Sequence, residues 1–307
     1  MTSEPRLSVV VAVEESAANL PAILRRLDPA AHSECEFIIC AADPAELVPL
    51  PSAQSHVRML RCAHGSRIPQ MWRDGIVAAR SGSVALLSAH VVPSDRWLPA
   101  LLARPLEDGE AGRGGWFSND PAAGAHDWAI YLLRYAAFSR PVARAAVTHI
   151  AADNAVYRRS EILACEDLLA GGFWEVEYHV RFLAKGLRLA LSAELEVVHA
   201  NRYGARSFEA QRREHGFAFG RDRAQRFGAA ALVLHLAAAP LVPLLLLGKV
   251  LIRSHRQGWT SVVPVTAYAW LSWFVAHWAW GEVSGLAHEF IRRTRCLPWP
   301  SRRRPSR

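Results

Sequence analysis

The chain has 307 residues, 51% of them hydrophobic and 21% charged, and a net charge of +8. That length holds one large domain or two smaller ones with a real core, and the apolar share excludes a disordered or collagen-like chain. Almost all the positive charge is arginine, with Lys185 and Lys249 the only lysines, and after Glu289 it gathers in a tail without acids.

In chain order, Leu7–Val13 is a β-rich apolar run that stops at Glu14-Glu15. Seven residues are too few for a secretory apolar region, so no export signal is expected. Ser16 is a plausible N-cap for a helix patterned on Leu20, Ile23, Leu24 and Leu27. Residues 36–40 and 57–60 read as second and third strands, 71–80 as a helix and 83–87 as a fourth strand. Short apolar strands alternating with helices predict an α/β fold with a mainly parallel sheet and helices on both faces. Ligands of such folds lie beyond the carboxyl ends of the strands, which directs attention to Glu14, Glu15, Asp43 and residues 88–90. Neither G-x-G-x-x-G nor G-x-x-x-x-G-K-[ST] is present, which removes support for dinucleotide-binding and P-loop readings. Five scattered cysteines (Cys35, Cys40, Cys62, Cys165, Cys296) without a C-x-x-C pair argue against a disulfide framework or a structural zinc, and for a reducing compartment.

Two later stretches, residues 227–248 and 260–281, carry no charged side chain. At a rise of about 1.5 Å per residue each would extend about 33 Å, enough for a bilayer's hydrocarbon core. Trp259, Trp270, Trp273, Trp278 and Trp280 suit an interfacial aromatic belt. Two spans would put the globular part and the basic tail on the cytoplasmic side of a membrane. Lys249, Arg253 and Arg256 between the spans oppose that topology, and Pro240 and Pro243 favour a kink or a re-entrant segment. The other readings are two segments lying partly in the membrane interface, or a pair of buried core helices. The expected division is a globular domain over 1–222, two membrane helices within 223–295 and a basic tail over 296–307.

The opening LSVVVAVEESAANLPAIL, together with RDGIVAARSGSVALLSAHVVPSDRWLPALL, DNAVYRRSEIL and FWEVEYHVRFLAKGLRLAL in that order, resembles family 2 glycosyltransferases of the GT-A fold. Pro93, Trp97-Leu98, Arg181, Gly186 and His199 fall in matching places, and the likeness runs from about Leu7 to Gly220. The resemblance implies transfer of a sugar from a nucleotide-sugar donor, a UDP-sugar by analogy, to an acceptor. The segment's place before the apolar stretches suggests a lipid or glycolipid acceptor at a membrane.

By the same resemblance Glu15, Asp43, Arg73, Asp74, Ser88 and His90 belong to the donor side. Asp153, Asn154, Glu177 and Arg181 belong to the acceptor side, and Glu175 is the expected catalytic base. Two departures stand out. The Asp-x-Asp that holds Mg²⁺ or Mn²⁺ in the family is here Ser88-Ala89-His90, a poor set for a hard cation. His90 could ligate a softer ion such as Mn²⁺, bond a phosphate, or mark an inactive homologue, with Arg67, Arg73 or Arg206 meeting the diphosphate charge instead. The usual Glu-Asp becomes Trp174-Glu175, whose carboxylate is one methylene longer. QRREHG replaces the Gln-x-x-Arg-Trp of processive synthases, which favours addition of a single sugar. A non-enzymatic sensor or scaffold is the alternative. Nucleic acid is not an expected partner, because the basic tail follows an apolar segment and lacks interleaved aromatics.

Overall fold

The apolar runs become the centre of a nine-stranded sheet. The computed structural model describes residues 4–14, 17–43, 56–140, 142–200, 204–225 and 227–295. Strands β1 (Leu7–Val13) and β2 (Cys35–Ala41) are buried along their whole length, which is why both are apolar on both faces except at Ser8 and Glu36, which bond each other. β3 (Val57–Arg61), β4 (Ser83–Ser88), β5 (Val91–Pro93), β6 (Glu110–Asn119), β7 (Arg144–Val147), β8 (Asn154–Arg158) and β9 (Arg188–His199) complete the sheet. The order is β3-β2-β1-β4-β8-β6-β9-β5, with β7 also paired to β9. β1, β2, β3 and β4 pair in parallel, as do β6 and β9, whereas β8, β5 and β7 run the other way.

The expected strands are present, each extended by a residue or two at most except β1, whose limits are unchanged. The helix expected over 71–80 is α2 (Ile68–Ala78), which starts earlier with Pro69 in its first turn. Its Gly75 lies so close to β1 that a Cβ there would run into the Val10 side chain. α2 shares one core with α5 (Arg159–Leu163), α7 (Glu175–Ala184) and the inward residues Val10, Ala12, Ile38, Leu86, Ala155 and Tyr157. Residues of opposite parity face the other side. There α1 (Leu20–Leu27) buries Leu20, Ile23 and Leu27, and α3 (Trp97–Ala103) buries Trp97, whose indole reaches Asn154 of β8. The remaining helices are α4 (Ala125–Tyr135), α6 (Glu166–Leu169), α8 (Ala205–Gln225), α9 (Ala229–Ala238), α10 (Val242–Arg256) and α11 (Val265–Arg295).

The chain forms two units, one of residues 1–123 and 134–202, the other of 124–133 and 203–307. α8 therefore belongs with the later helices, and residues 296–307 lie outside the described part. In the second unit α8 and α11 meet backbone to backbone. A Cβ at Gly216 or Gly220 would strike the carbonyl of Trp278 or Glu282, and one at Gly281 or Gly285 would strike that of Arg213 or Phe217. Two small-xxx-small pairs thus face each other, a pattern that permits close helix crossing.

Among the described residues no single helix is long and apolar enough to cross a membrane. The first apolar stretch is divided into α9 and α10, which meet at a 58° bend and pass the length and composition test only as a pair. The second is broken ahead of Val265, and its helix continues to Arg295 through Glu282 and Glu289, both buried and paired with arginines.

Candidate functional site

β8 is antiparallel to β4 and β6, so its first residues lie at the same rim as their last ones. Asn154 pairs with Leu87, Asn119 pairs with His199, and His199 pairs with Val91. Ser88, His90, Asn119, Asp153 and His199 therefore share one edge of the sheet in the first unit, where Glu14 ends β1.

Asn154 fixes this edge. Its carbonyl accepts from the Trp97 indole at 2.7 Å, and its amide donates to the backbone carbonyls of Trp116 and Leu195, each at 3.0 Å. Gly115 makes room for that amide, since a Cβ there would collide with Leu195 and Asn154. With every strong bond spent on the fold, Asn154 sets the position of its neighbour.

That neighbour, Asp153, is 6% exposed. Its Oδ2 accepts a hydrogen bond from the Tyr135 hydroxyl and lies 3.6 Å from the Arg134 guanidinium, while its Oδ1 is buried without a hydrogen-bond partner among the described residues. Tyr135 is held flat on Phe117, with ring centres 4.2 Å apart.

Glu175 is the first residue of α7 and half-buried. Burial pushes its carboxyl up to about 7; a hydrogen bond from its own backbone amide opposes this, the Asp153 charge adds to it, and Arg134 opposes it. Behind it, buried Tyr157 shares a hydrogen bond of 3.0 Å with His179 Nε2. Burial, and then His149, push His179 down to about 3, so it is a neutral imidazole. Two carboxyl groups in one electrostatic field, one rigidly held and one with a raised proton affinity, form a pair suited to general acid–base work.

The other candidates sit elsewhere. Glu177 and Arg181 lie on the exposed side of α7, and Arg181 forms a two-pronged pair with Asp167 at 2.7 and 2.9 Å. Arg73 binds Asp74 at 2.8 Å and the Ala170 carbonyl at 3.1 Å, both side chains being partly buried on α2. Asp43 is exposed, 3.7 Å from Arg61. Glu15 and the cap Ser16 lie outside the described residues. Glu14 caps α2, accepting from the Ile68 amide at 3.1 Å and from Arg67 at 3.3 Å.

Ser88 and His90 are fully buried, with the His90 amide 3.4 Å from Ser88 Oγ. Among the described residues no three His, Cys, Asp or Glu side chains gather as a metal site. A buried hydroxyl and imidazole at Ser88 and His90 are a poor donor set for a hard divalent cation, which takes carboxylate and water oxygens.

Tyr135, Arg134 and His179 escaped sequence reasoning. His179, four residues after Glu175 on the same helix face, was accessible to helical periodicity; nothing in LLRY marks Tyr135 as a carboxylate's partner.

The carboxylate-bearing rim thus lies at one edge of a mixed sheet whose strands mostly run in one direction. No protein-family model and no curated protein matches the chain. Among solved structures, it is similar to the mannosyltransferase PcManGT from Pyrobaculum calidifontis, determined in complex with GDP-Man and Mn2+, with a TM-score of 0.52. Identity is 16%, over 94% of this chain and 89% of the other.

Proposed function

We propose that this protein is a membrane-attached glycosyltransferase of the family 2 type. It would transfer one sugar, with inversion, from a nucleotide-sugar to a lipid-linked or envelope acceptor at the cytoplasmic face. The observation that carries the reading is the placement of Glu175 at the head of α7, beside Asp153, with a proton affinity near neutrality.

In that reaction the acceptor hydroxyl oxygen attacks the anomeric carbon. The bond from that carbon to the diphosphate oxygen breaks, and the nucleoside diphosphate leaves with the electron pair. The acceptor proton passes to a Glu175 carboxylate oxygen. A base with pKa of about 7 suits this step, since a large share of it is ionised near neutral pH and it is strong enough to take the proton. Asp153, immobilised by Tyr135 and Arg134, adds its negative charge to the burial that keeps Glu175 basic. Arg67 and Arg73 are the first-unit guanidinium groups proposed to balance the diphosphate. Guanosine and uridine diphosphates are both candidate leaving groups, the first because the similar mannosyltransferase was solved with GDP-Man.

A second reading, an inactive homologue that senses nucleotide-sugars or scaffolds other enzymes, is favoured by the buried Ser88-Ala89-His90. Calorimetric titration of detergent-purified protein with GDP and UDP, each with Mg²⁺, Mn²⁺ or EDTA, separates the two when followed by donor turnover. Binding with turnover that disappears in Glu175→Gln supports the enzyme. Binding without turnover across lipid acceptors supports the sensor, and no binding at all defeats the nucleotide-sugar reading.

A further inference from the structure

α10 carries three distinct stripes. Leu246, Leu247 and Val250 pack into the core of the second unit with Leu271 and Phe274, and Ser254 on the same side is fully buried. On the opposite side Leu244, Leu245, Leu251 and Ile252 are 66%, 64%, 46% and 56% exposed. Gly248 lies between them, so these positions recur at the spacing of one helix face. Lys249, Arg253 and Arg256, at intervals of four and three, form a third stripe along one flank of the exposed leucines.

We infer that α10 lies in the plane of a membrane, with its leucine stripe sunk into one leaflet and its basic flank on anionic headgroups. A helix of 15 residues extends only about 22 Å, short of the ~30 Å hydrocarbon core, so it cannot cross alone. An exposed apolar face bordered by Lys and Arg is the form of an interfacial helix, in which long basic side chains reach sideways to the headgroups. The segment from Arg223 to Gly281 contains no Asp or Glu. A second copy of the same face would therefore meet basic side chains with basic side chains, whereas an anionic leaflet complements them. Val233 and Leu234 of α9, 53% and 68% exposed, add apolar area on the other arm of the bend. The 58° break is where a helix that turns back at the interface changes direction.

This inference rests on the membrane part of the proposed function and replaces two spans with an in-plane helix. The test is flotation of the full chain with vesicles of phosphatidylcholine alone or mixed with phosphatidylglycerol, for the wild type, Leu244→Asp/Leu245→Asp and Lys249→Glu/Arg253→Glu. Both variants change exposed positions, and circular dichroism confirms that each is folded. The expected result is co-flotation that is strongest with phosphatidylglycerol and weakened by salt. The charge variant should lose at least about tenfold in binding to the anionic vesicles, and the leucine variant should lose binding to both. Flotation indifferent to lipid charge, salt and both variants overturns the in-plane helix and leaves spanning as the mode of attachment. Failure of the wild type to float with either vesicle overturns the in-plane helix and membrane attachment together. A wild-type dimer that does not float, and that the leucine variant turns into a monomer by sedimentation, overturns the inference in favour of self-association.

Discussion

If Glu175 is kept basic by its surroundings, the folded protein is less stable for carrying it. Glu175→Gln removes the ionisable group while preserving its size and its neutral hydrogen-bonding form. The carboxyl's ordinary value of 4.5 is raised to about 7 in the fold, so its contribution is most favourable below pH 4.5 and is lost as pH rises through 7. At about 1.36 kcal/mol per pH unit, the gap corresponds to a ceiling of about 3 kcal/mol at pH 8. Water reaches a half-buried side chain, so about 1.5 kcal/mol is a fair lower expectation. In a domain of this size that raises the unfolding midpoint by about 3–12 °C. The assay is thermal unfolding of wild type and variant at pH 5 and pH 8, followed by tryptophan fluorescence. His179 titrates alike in both proteins, so the difference isolates Glu175. The variant should gain clearly at pH 8 and little at pH 5. Equal stability at both values, or a variant less stable at pH 8, would refute a carboxyl with raised proton affinity at this position.

Two further outcomes follow from the same geometry. Asp153→Asn removes a negative charge near Glu175 but not its burial, the larger cause. The acid limb of donor turnover should move below 7 while staying above 4.5, and a limb that does not move excludes Asp153 as an electrostatic partner. Gly281→Leu drives a side chain into the Arg213 carbonyl, so urea unfolding monitored at the second unit should show a loss of at least about 3 kcal/mol; an unchanged midpoint would mean that α8 and α11 do not touch there.

The central strands were legible because full burial leaves an unbroken apolar run, as in residues 7–13 and 83–87. Glu175 and Asp153 were singled out by the order of segments around them, and the structure places both near Arg134. Other features depend on contacts that no local pattern records. α2 begins at Ile68 because Glu14, 54 residues earlier, accepts its amide. Tyr135 reaches Asp153 across 18 residues. Arg181 kept the register of a resemblance, yet its guanidinium is spent on Asp167 at the surface. Pro240 and Pro243 marked the place where α9 and α10 are broken, whereas the limits drawn around the second charge-free run passed over the arginine-paired Glu282 just beyond Gly281. The glycine pairs in GFAFG and GEVSG drew no reading from the sequence, because nothing local says that the two segments meet backbone to backbone.

The seam between those two helices has a consequence for where the protein can keep its shape. Most helix pairs in water are held by expelling it from apolar side chains, an advantage that vanishes when lipid tails replace water. At Gly216, Gly220, Gly281 and Gly285 the partners are peptide groups, and the attraction is close-range dispersion between backbones. Such a contact draws the same strength from either solvent. α8 and α11 would thus keep one and the same packing in water or in lipid, with no exchange of one set of contacts for another.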